Sequence, residues 1–260
     1  MSQRSKKTVI IGAVILLFLG GVIASKQKRQ IAADSKQASV FDLLTRPSAL
    51  DKAVRIAEEK LRVSERIFGP RDLHVARQLD ELASHYHAQG LLAEFITSNN
   101  PAIRERFKQY RVPDYSAEEK KVSAESLFKR ALAIREQALG PDALEVAESS
   151  DRLAYFYGVE GRNAEAELFY KRALQIREKV LGQKHTQVAH SLTNLAIVYA
   201  KQHKNADAEA SVQRSLAIYE ALGPDRPEMV GALMTYSLVL KMAGKNQEAG
   251  AMEARARRIR

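Results

Sequence analysis

Apolar residues recur at the spacing of one helical face along the stretch Gly161–Gly182, GRNAEAELFYKRALQIREKVLG, and along the stretch before it. The recurring positions are Ala166, Tyr170 and Ala173 in the first and Leu153, Ala154 and Tyr157 in the second. A period near 3.6 residues indicates amphipathic helices. The small alanines suit close helix crossings, and the tyrosines fill the space between helices. We therefore predict a unit of two helices joined by a short turn.

The same two-helix unit appears several times along the chain. RALAIREQALG ends at Gly140, RALQIREKVLG at Gly182 and the shorter RSLAIYEALG at Gly223, so these glycines lie 42 and 41 residues apart. A fixed period of this size predicts stacked structural repeats, each burying its apolar face against its neighbours.

These phrases resemble the tetratricopeptide repeat, whose helix A carries L-[GA]-x-x-Y and whose helix B carries A-x-x-x-[FY]-x-x-A. The long helix B and the motif RALxIRExxLG resemble those of the 42-residue repeat subtype found in kinesin light chains. The match is strongest over Asp142–Gly223. The resemblance implies an all-α, right-handed α-solenoid of four to five helical hairpins, spanning residues 48–260.

The repeats are predicted to begin near residue 48. Ser48 followed by Asp51 is a capping-box signature, so a helix should run from there to about Phe68 and stop at Gly69-Pro70. Asp72–Gly90 then has helix A spacing. Residues 25–47 are predicted to be a juxtamembrane linker containing a degenerate helix A. Its apolar positions are Val40, Phe41 and Leu44, the last in the position of Tyr157.

Residues 91–115 interrupt the first regular repeat, whose helix B resumes at Ser116–Gly140. Within this insertion Asn100-Pro101 reads as a helix start, followed by Ile103, Phe107 and Tyr110 on one face. Two interpretations stay open. The insertion either covers its own apolar face on the surface or forms a flap or docking helix for a partner.

Residues 8–24 contain no charged residue and are rich in Val, Ile, Leu and Phe, behind a basic tail at residues 1–7. This length spans roughly 26 Å as a helix, close to the hydrocarbon thickness of a membrane. It predicts a single-pass membrane anchor, or a signal peptide cleaved after Ala24, which would make the protein secreted or periplasmic. Lys26, Lys28 and Arg29 favour the anchor, while the balanced flanking charges leave its orientation open.

Charge is concentrated at the two ends of the chain. The net charge is +10, of which residues 1–47 carry +6, residues 245–260 carry +3 and the remainder only +1. A nucleic-acid groove would need basic residues along one face of the body, so no nucleic-acid binding is expected. The final helix has arginines at 255, 257, 258 and 260, which either cap the solenoid or form a patch for acidic lipids or an acidic partner.

No constellation of residues predicts catalysis, metal binding or a cofactor. His85 and His87 point to different sides of one helix, and no further ligand signature stands nearby. The chain has no cysteine and no phosphate-binding, dinucleotide or hydrolase motif. Arg135 and Arg177, which the repeated phrases share, are expected to brace neighbouring helices. We therefore expect no enzyme activity.

The family resemblance implies a concave groove lined by helix A, which would bind a protein or an extended peptide segment. Carried over by position, the candidate ligand-facing residues are Asp80, Glu81, Ser84, His87, Asp151, Arg152, Tyr155, Thr193, Asn194, Ile197, Lys201, Met234, Thr235, Leu238 and Lys241. The carboxylate clamp of chaperone-docking repeats is not reproduced, since only Asn194 resembles it. The leading hypothesis is a membrane-anchored scaffold; the alternative is an accessory subunit that binds through residues 91–115 or the arginine-rich helix.

Overall fold

The computed structural model describes residues 47–97, 116–223 and 226–259. Within these ranges the chain forms nine α-helices and no strand. The helices are α1 (Pro47–Phe68), α2 (Leu73–Thr97), α3 (Ala117–Leu139), α4 (Leu144–Val159), α5 (Asn163–Leu181), α6 (Thr186–Lys201), α7 (Asn205–Leu222), α8 (Met229–Met242) and α9 (Asn246–Ile259). The all-helical prediction is confirmed for the part of the chain that the structure describes.

The chain divides into two compact units, residues 1–134 and residues 135–260, with the division inside α3. In the first unit α1 packs against α2. A cluster of Val75, Ala76 and Leu79 from α2 with Ala131 and Ile134 from α3 forms part of its core. A second cluster joins α1 to α2 through Val54, Ala57 and Leu82.

In the second unit the helices form three hairpins, α4 with α5, α6 with α7 and α8 with α9. Successive hairpins are joined by contacts of α5 with α6 and of α7 with α8, and α6 also packs against α8. Each hairpin buries one apolar stripe internally and a second against its neighbour, as expected for stacked helical repeats.

The predicted packing positions of the α4–α5 hairpin are buried. The side chains of Ala154 and Ala166 are fully enclosed, and those of Tyr157 and Tyr170 are nearly so. The Tyr157 ring stacks on the Phe169 ring with centroids 5.6 Å apart. The alternation of small and large residues therefore fills the crossing between the two helices, as the sequence predicts.

The repeated glycines mark the ends of helices. Gly182 ends α5 with φ of 82°, a left-handed conformation that costs glycine little because it has no Cβ. His203 occupies the position of Gly161 in the preceding repeat and also has a positive φ, 60°. Histidine is one of the few other residues found there with some frequency, so the turn is preserved without glycine.

Helix α2 is longer than the sequence pattern predicts. It continues through Gly90 to Thr97 instead of ending at Gly90. Leu91 and Leu92 are buried in this extension, and Glu94 forms a 2.9 Å ion pair with Lys121 of α3. Gly90 itself lies where a Cβ would meet the carbonyl oxygen of Ala117 at 3.0 Å. Glycine here leaves room for the close approach of α3 and does not end the helix.

Several predictions fall outside the described residues. These are the membrane segment at 8–24, the degenerate helix with Val40, Phe41 and Leu44, and the part of the insertion at 98–115 that contains the Asn100-Pro101 start. Among the described helices, none combines the length and apolar character needed to span a bilayer.

Candidate interaction surface

The predicted ligand-facing residues of the first unit are mostly engaged within it. On α2 the side chains of Asp80 and His87 are buried. Ser84 donates its hydroxyl to the carbonyl oxygen of Asp80 at 2.8 Å, and Glu81 pairs with Lys60 of α1 at 2.8 Å. These residues therefore contribute packing and intramolecular pairs, and of the four predicted positions on α2 only Glu81 and Ser84 are partly exposed.

On α4 the predicted residue Asp151 is held by a residue of the next helix. Nη1 of Arg177, on α5, lies 2.6 Å from Asp151 Oδ2. The same nitrogen donates a 2.5 Å hydrogen bond to Ser191 Oγ of α6. Burial raises the pKa of Asp151, and the positive charge of Arg177 acts in the opposite direction. Asp151, Arg177 and Ser191 therefore form a polar clasp that links three helices.

The same type of contact recurs one repeat earlier. Arg135, at the end of α3, donates to Ser149 Oγ of α4 at 2.6 Å. The prediction that Arg135 and Arg177 brace neighbouring helices is confirmed. In the part of the chain that the structure describes, these guanidinium groups join α3 to α4 and α5 to α6.

Two further predicted residues lie inside the packing. Thr193 donates to the carbonyl oxygen of Ala189 at 3.0 Å and lies 2.8 Å from Ser215 Oγ of α7. Thr235 is buried as well. The position-based transfer from the repeat family therefore places these threonines on a face that this chain uses for its own helix contacts.

The remaining predicted residues of α4 and α6 are at least partly exposed. Arg152 is exposed and Tyr155 half-buried, and burial raises the pKa of Tyr155 to about 12. Asn194 and Ile197 are half-buried on α6. Lys201 donates Nζ to the carbonyl oxygen of Gly158 at 2.7 Å, and burial lowers its pKa. At this end of α4 the ammonium group offsets the partial negative charge of the helix carbonyls.

Helix α8 exposes an apolar stripe. The side chains of Met234, Leu238 and Met242 are 48%, 46% and 42% exposed, and they follow one another at intervals of four residues. This spacing places them along one side of the helix. Leu238 occupies the repeat position of Ile197 on α6, the helix that packs against α8. We call Ile197, Met234, Leu238 and Met242 the apolar strip.

Sequence reasoning identified three of the four members of the apolar strip and missed Met242. The signal was present, because Met242 lies four residues after Leu238. Lys241, which was predicted instead at this end, forms an ion pair with Glu253 of α9. Its charge is therefore largely balanced within the chain.

An opening lies between α5 and α7, with α6 as its floor. It has a volume of about 400 Å³ and an apolar base that includes Leu174, Leu192 and Leu195. Arg214 and Glu178 join its two rims through a 2.6 Å ion pair. We interpret this opening as the ordinary furrow between successive second helices of the repeats.

Neither surface contains a cluster of candidate metal ligands. Within residues 47–97, 116–223 and 226–259, no group of three or more His, Asp or Glu side chains is placed to hold a metal ion. The apolar strip offers thioether and aliphatic side chains beside amide and ammonium groups. Methionine side chains adapt their shape readily to apolar surfaces that they contact.

The profile of the tetratricopeptide repeat family matches residues 122–179, 145–221 and 187–260, together more than half of the chain. The chain belongs to the tetratricopeptide repeat family. This fold is typical of protein–protein interaction and generally serves as a non-enzymatic scaffold. No curated protein matches the sequence at a significant level.

Solved structures give the same fold. A Podosopora anserina protein described as a kinesin light chain with nearly identical TPR-like repeats aligns at 18% identity with a TM-score of 0.60, covering 83% of this chain and 89% of that one. A variant of the same protein gives a TM-score of 0.62, also at 18% identity, with 83% and 88% coverage. BtubC (BKLC) from P. vanneervenii aligns at 21% identity and a TM-score of 0.51, covering 81% of this chain and 91% of that one. At these identities the likeness concerns the fold.

Proposed function

We propose that this tetratricopeptide repeat protein is a non-enzymatic scaffold, held at a membrane by residues 8–24, that binds an extended segment of a partner protein through α6 and α8. The observation that supports the binding surface most is the exposed row of Met234, Leu238 and Met242 beside Ile197. Three large apolar side chains in one row, each more than two-fifths exposed, are typical of a surface that a partner covers.

The residues around the apolar strip would set the orientation of the bound segment. Asn194 and Arg152 provide hydrogen-bond groups on the neighbouring helices, while Asp151 is committed to Arg177. A bound segment would therefore contact the apolar strip at its centre and polar side chains on either side of it. A right-handed superhelix, as in other members of the family, would present these helices on its concave side.

The binding surface can be tested by quantitative affinity capture with the full chain in detergent. Met234→Glu combined with Leu238→Glu should abolish capture of the specific partner set, because two carboxylates would have to be desolvated against apolar side chains. The matched control is Leu168→Glu on α5, a side chain that is 64% exposed. Equal loss in the control, or an unchanged partner set in the double variant, would contradict the proposal.

The rival function is an accessory subunit that binds through the insertion, and the structure refines its test. Leu91, Leu92 and Ala93 are buried in α2, so deletion of residues 91–115 would damage the repeat itself. Deletion of 98–115 leaves α2 intact. Loss of partners in that deletion alone would favour the insertion as the binding part. Replacing Arg257 and Arg258, both exposed, with glutamine tests the arginine-rich helix in the same assay.

Membrane anchoring has its own experiment. Alkaline carbonate extraction should leave the protein in the membrane fraction, and N-terminal sequencing of the mature chain should find residues 8–24 retained. A soluble mature chain that begins at Ser25 would indicate a cleaved signal and a secreted or periplasmic protein. Reporter fusions at the C-terminus would determine the orientation.

A further inference from the structure

Helix α1 is equivalent to the second helix of each later repeat. It ends at Gly69 with a φ of 85°, as α3 ends at Gly140 with 86° and α5 at Gly182 with 82°. Counting back from these glycines, Val63 corresponds to Ile134 and Ile176, and Ile56 corresponds to Leu127 and Phe169. In the shorter RSLAIYEALG phrase, Ile218 corresponds to Ile134 and Ile176, and therefore to Val63.

The equivalent residues differ sharply in burial. Ile134, Ile176 and Ile218 are 5%, 4% and 6% exposed, whereas Val63 is 41% exposed. Ile56 is 47% exposed, although its counterpart Leu127 packs against the core of the first unit. The amino acids at these positions are similar in character, so the difference is in what covers them.

In the later repeats, the cover is the first helix of the same repeat. Ile134 of α3 packs with Val75, Ala76 and Leu79 of α2. Phe169 of α5 stacks on Tyr157 of α4. The opposite side of α1 is already occupied, since Val54 and Ala57 meet Leu82 of α2. By the order of helices in the later repeats, the helix that would cover Ile56 and Val63 lies in the residues before α1.

We propose that residues 31–46 form the first helix of an additional, amino-terminal repeat and dock on the Ile56–Val63 face of α1. Leu44 stands 25 residues before Gly69, just as Tyr157 stands 25 residues before Gly182, and Val40 takes the position of Leu153. Leu44 then meets Ile56 as Tyr157 meets Phe169. Helix α4 has 16 residues, the number present from 31 to 46.

This arrangement determines how the scaffold is held. If residues 8–24 lie in a membrane, which rests on the proposed function, only Ser25–Gln30 separate that segment from the first repeat. Six residues reach at most about 20 Å when fully extended. The repeats would therefore stay next to the bilayer instead of moving freely on a 22-residue tether. The docking itself does not depend on the membrane.

Because the chain has no cysteine, thiol crosslinking tests the contact directly. In the full chain in detergent, Leu44→Cys with Ile56→Cys should react with a short bifunctional maleimide to give an intramolecular product. The matched control is Leu44→Cys with Arg55→Cys, whose exposed side chain lies about 100° around the helix; it should react much less. Equal yields in both pairs would overturn the proposal, and a product with the mass of a dimer would assign the face to a second copy.

A stability measurement provides an independent readout. Val63→Glu should lower Tm by roughly 5–10 °C, because the carboxylate would be buried beneath residues 31–46. Val180→Glu, at a position on α5 that is 49% exposed, should leave Tm nearly unchanged. A Val63→Glu protein that melts like the wild type would contradict the docking. Partner capture through the apolar strip is a separate assay, so either proposal can fail alone.

Discussion

Two junctions between consecutive repeats fill equivalent buried positions with different side chains. At the junction of α5 and α6, Arg177 joins Ser191 and Asp151 in a polar clasp. At the junction of α7 and α8, the equivalent positions hold Tyr219, Ala232 and Thr193, all of them buried. The arginine, the serine and the aspartate are thus replaced as a set.

The physical reason lies in the cost of burying charge. An arginine in a helix junction is tolerated when its donors reach a carboxylate and a hydroxyl, and a lone carboxylate left there would be expensive. A tyrosine facing an alanine fills comparable space without an ion pair, because the ring supplies the volume that the guanidinium and its partners occupied. The comparison predicts that either complete set is stable and that a mixed set is less so.

The largest expected effect comes from breaking the clasp on one side. Arg177→Met should lower the free energy of unfolding by about 3 kcal/mol, because Asp151 would remain largely buried without its cation. Chemical denaturation monitored by circular dichroism would measure it. As a control, Arg172→Met on the same helix removes a partly exposed pair with Glu136 and should cost less than about 1 kcal/mol. Equal losses would mean that the clasp has no special role.

The same variant should acquire a pH dependence that reveals the orphaned carboxylate. Burial already raises the pKa of Asp151, and removal of Arg177 removes the opposing influence. A carboxyl whose pKa is higher in the folded state contributes stability below its unfolded pKa and loses it as pH rises through the folded pKa. The deficit of Arg177→Met relative to wild type should therefore be smaller at pH 4 than at pH 7.5. A deficit independent of pH would exclude Asp151 as its source.

A smaller effect is expected at the earlier clasp. Arg135→Met removes the hydrogen bond to Ser149 Oγ, and Arg135 is more exposed than Arg177, so less burial has to be compensated there. We expect a loss of about 1 kcal/mol, measured in the same denaturation series. A loss as large as that of Arg177→Met would show that the deeper burial of Arg177 is not what distinguishes the two arginines.

The smallest change is expected when the whole set is exchanged. A triple variant with Asp151→Thr, Arg177→Tyr and Ser191→Ala reproduces the chemistry of the α7–α8 junction. Its stability should lie within about 1 kcal/mol of wild type and above that of Arg177→Tyr alone, since contacting residues are not additive. A triple variant less stable than the single one would show that the two junctions differ in backbone geometry as well as in side chains.

The chain's repeated phrases predicted its fold because each phrase contains the periodicity of its own helix and the glycine that ends it. Leu153, Ala154 and Tyr157 can be recognised without coordinates, and all three are buried as predicted. The arginines of the IRE phrases were likewise assigned a bracing role correctly, since their recurrence at the period of the repeat ties them to the junction. Helix α2 shows where local signals fail. Gly90 is predicted to end the helix, yet the helix continues to Thr97 and buries Leu91 and Leu92.

The sequence by itself determined the helical hairpins, their order and their family, because these depend on spacing within about 42 residues. Only the tertiary structure decided which helix A residues face outward. Thr193 and Thr235 occupy positions that the family pattern assigns to a ligand, but contacts from α7 and the surrounding packing enclose them. Met234, Leu238 and Met242 remain exposed because no described helix covers that side of α8. Exposure depends on contacts between repeats, and such contacts cannot be read from the period of a single repeat.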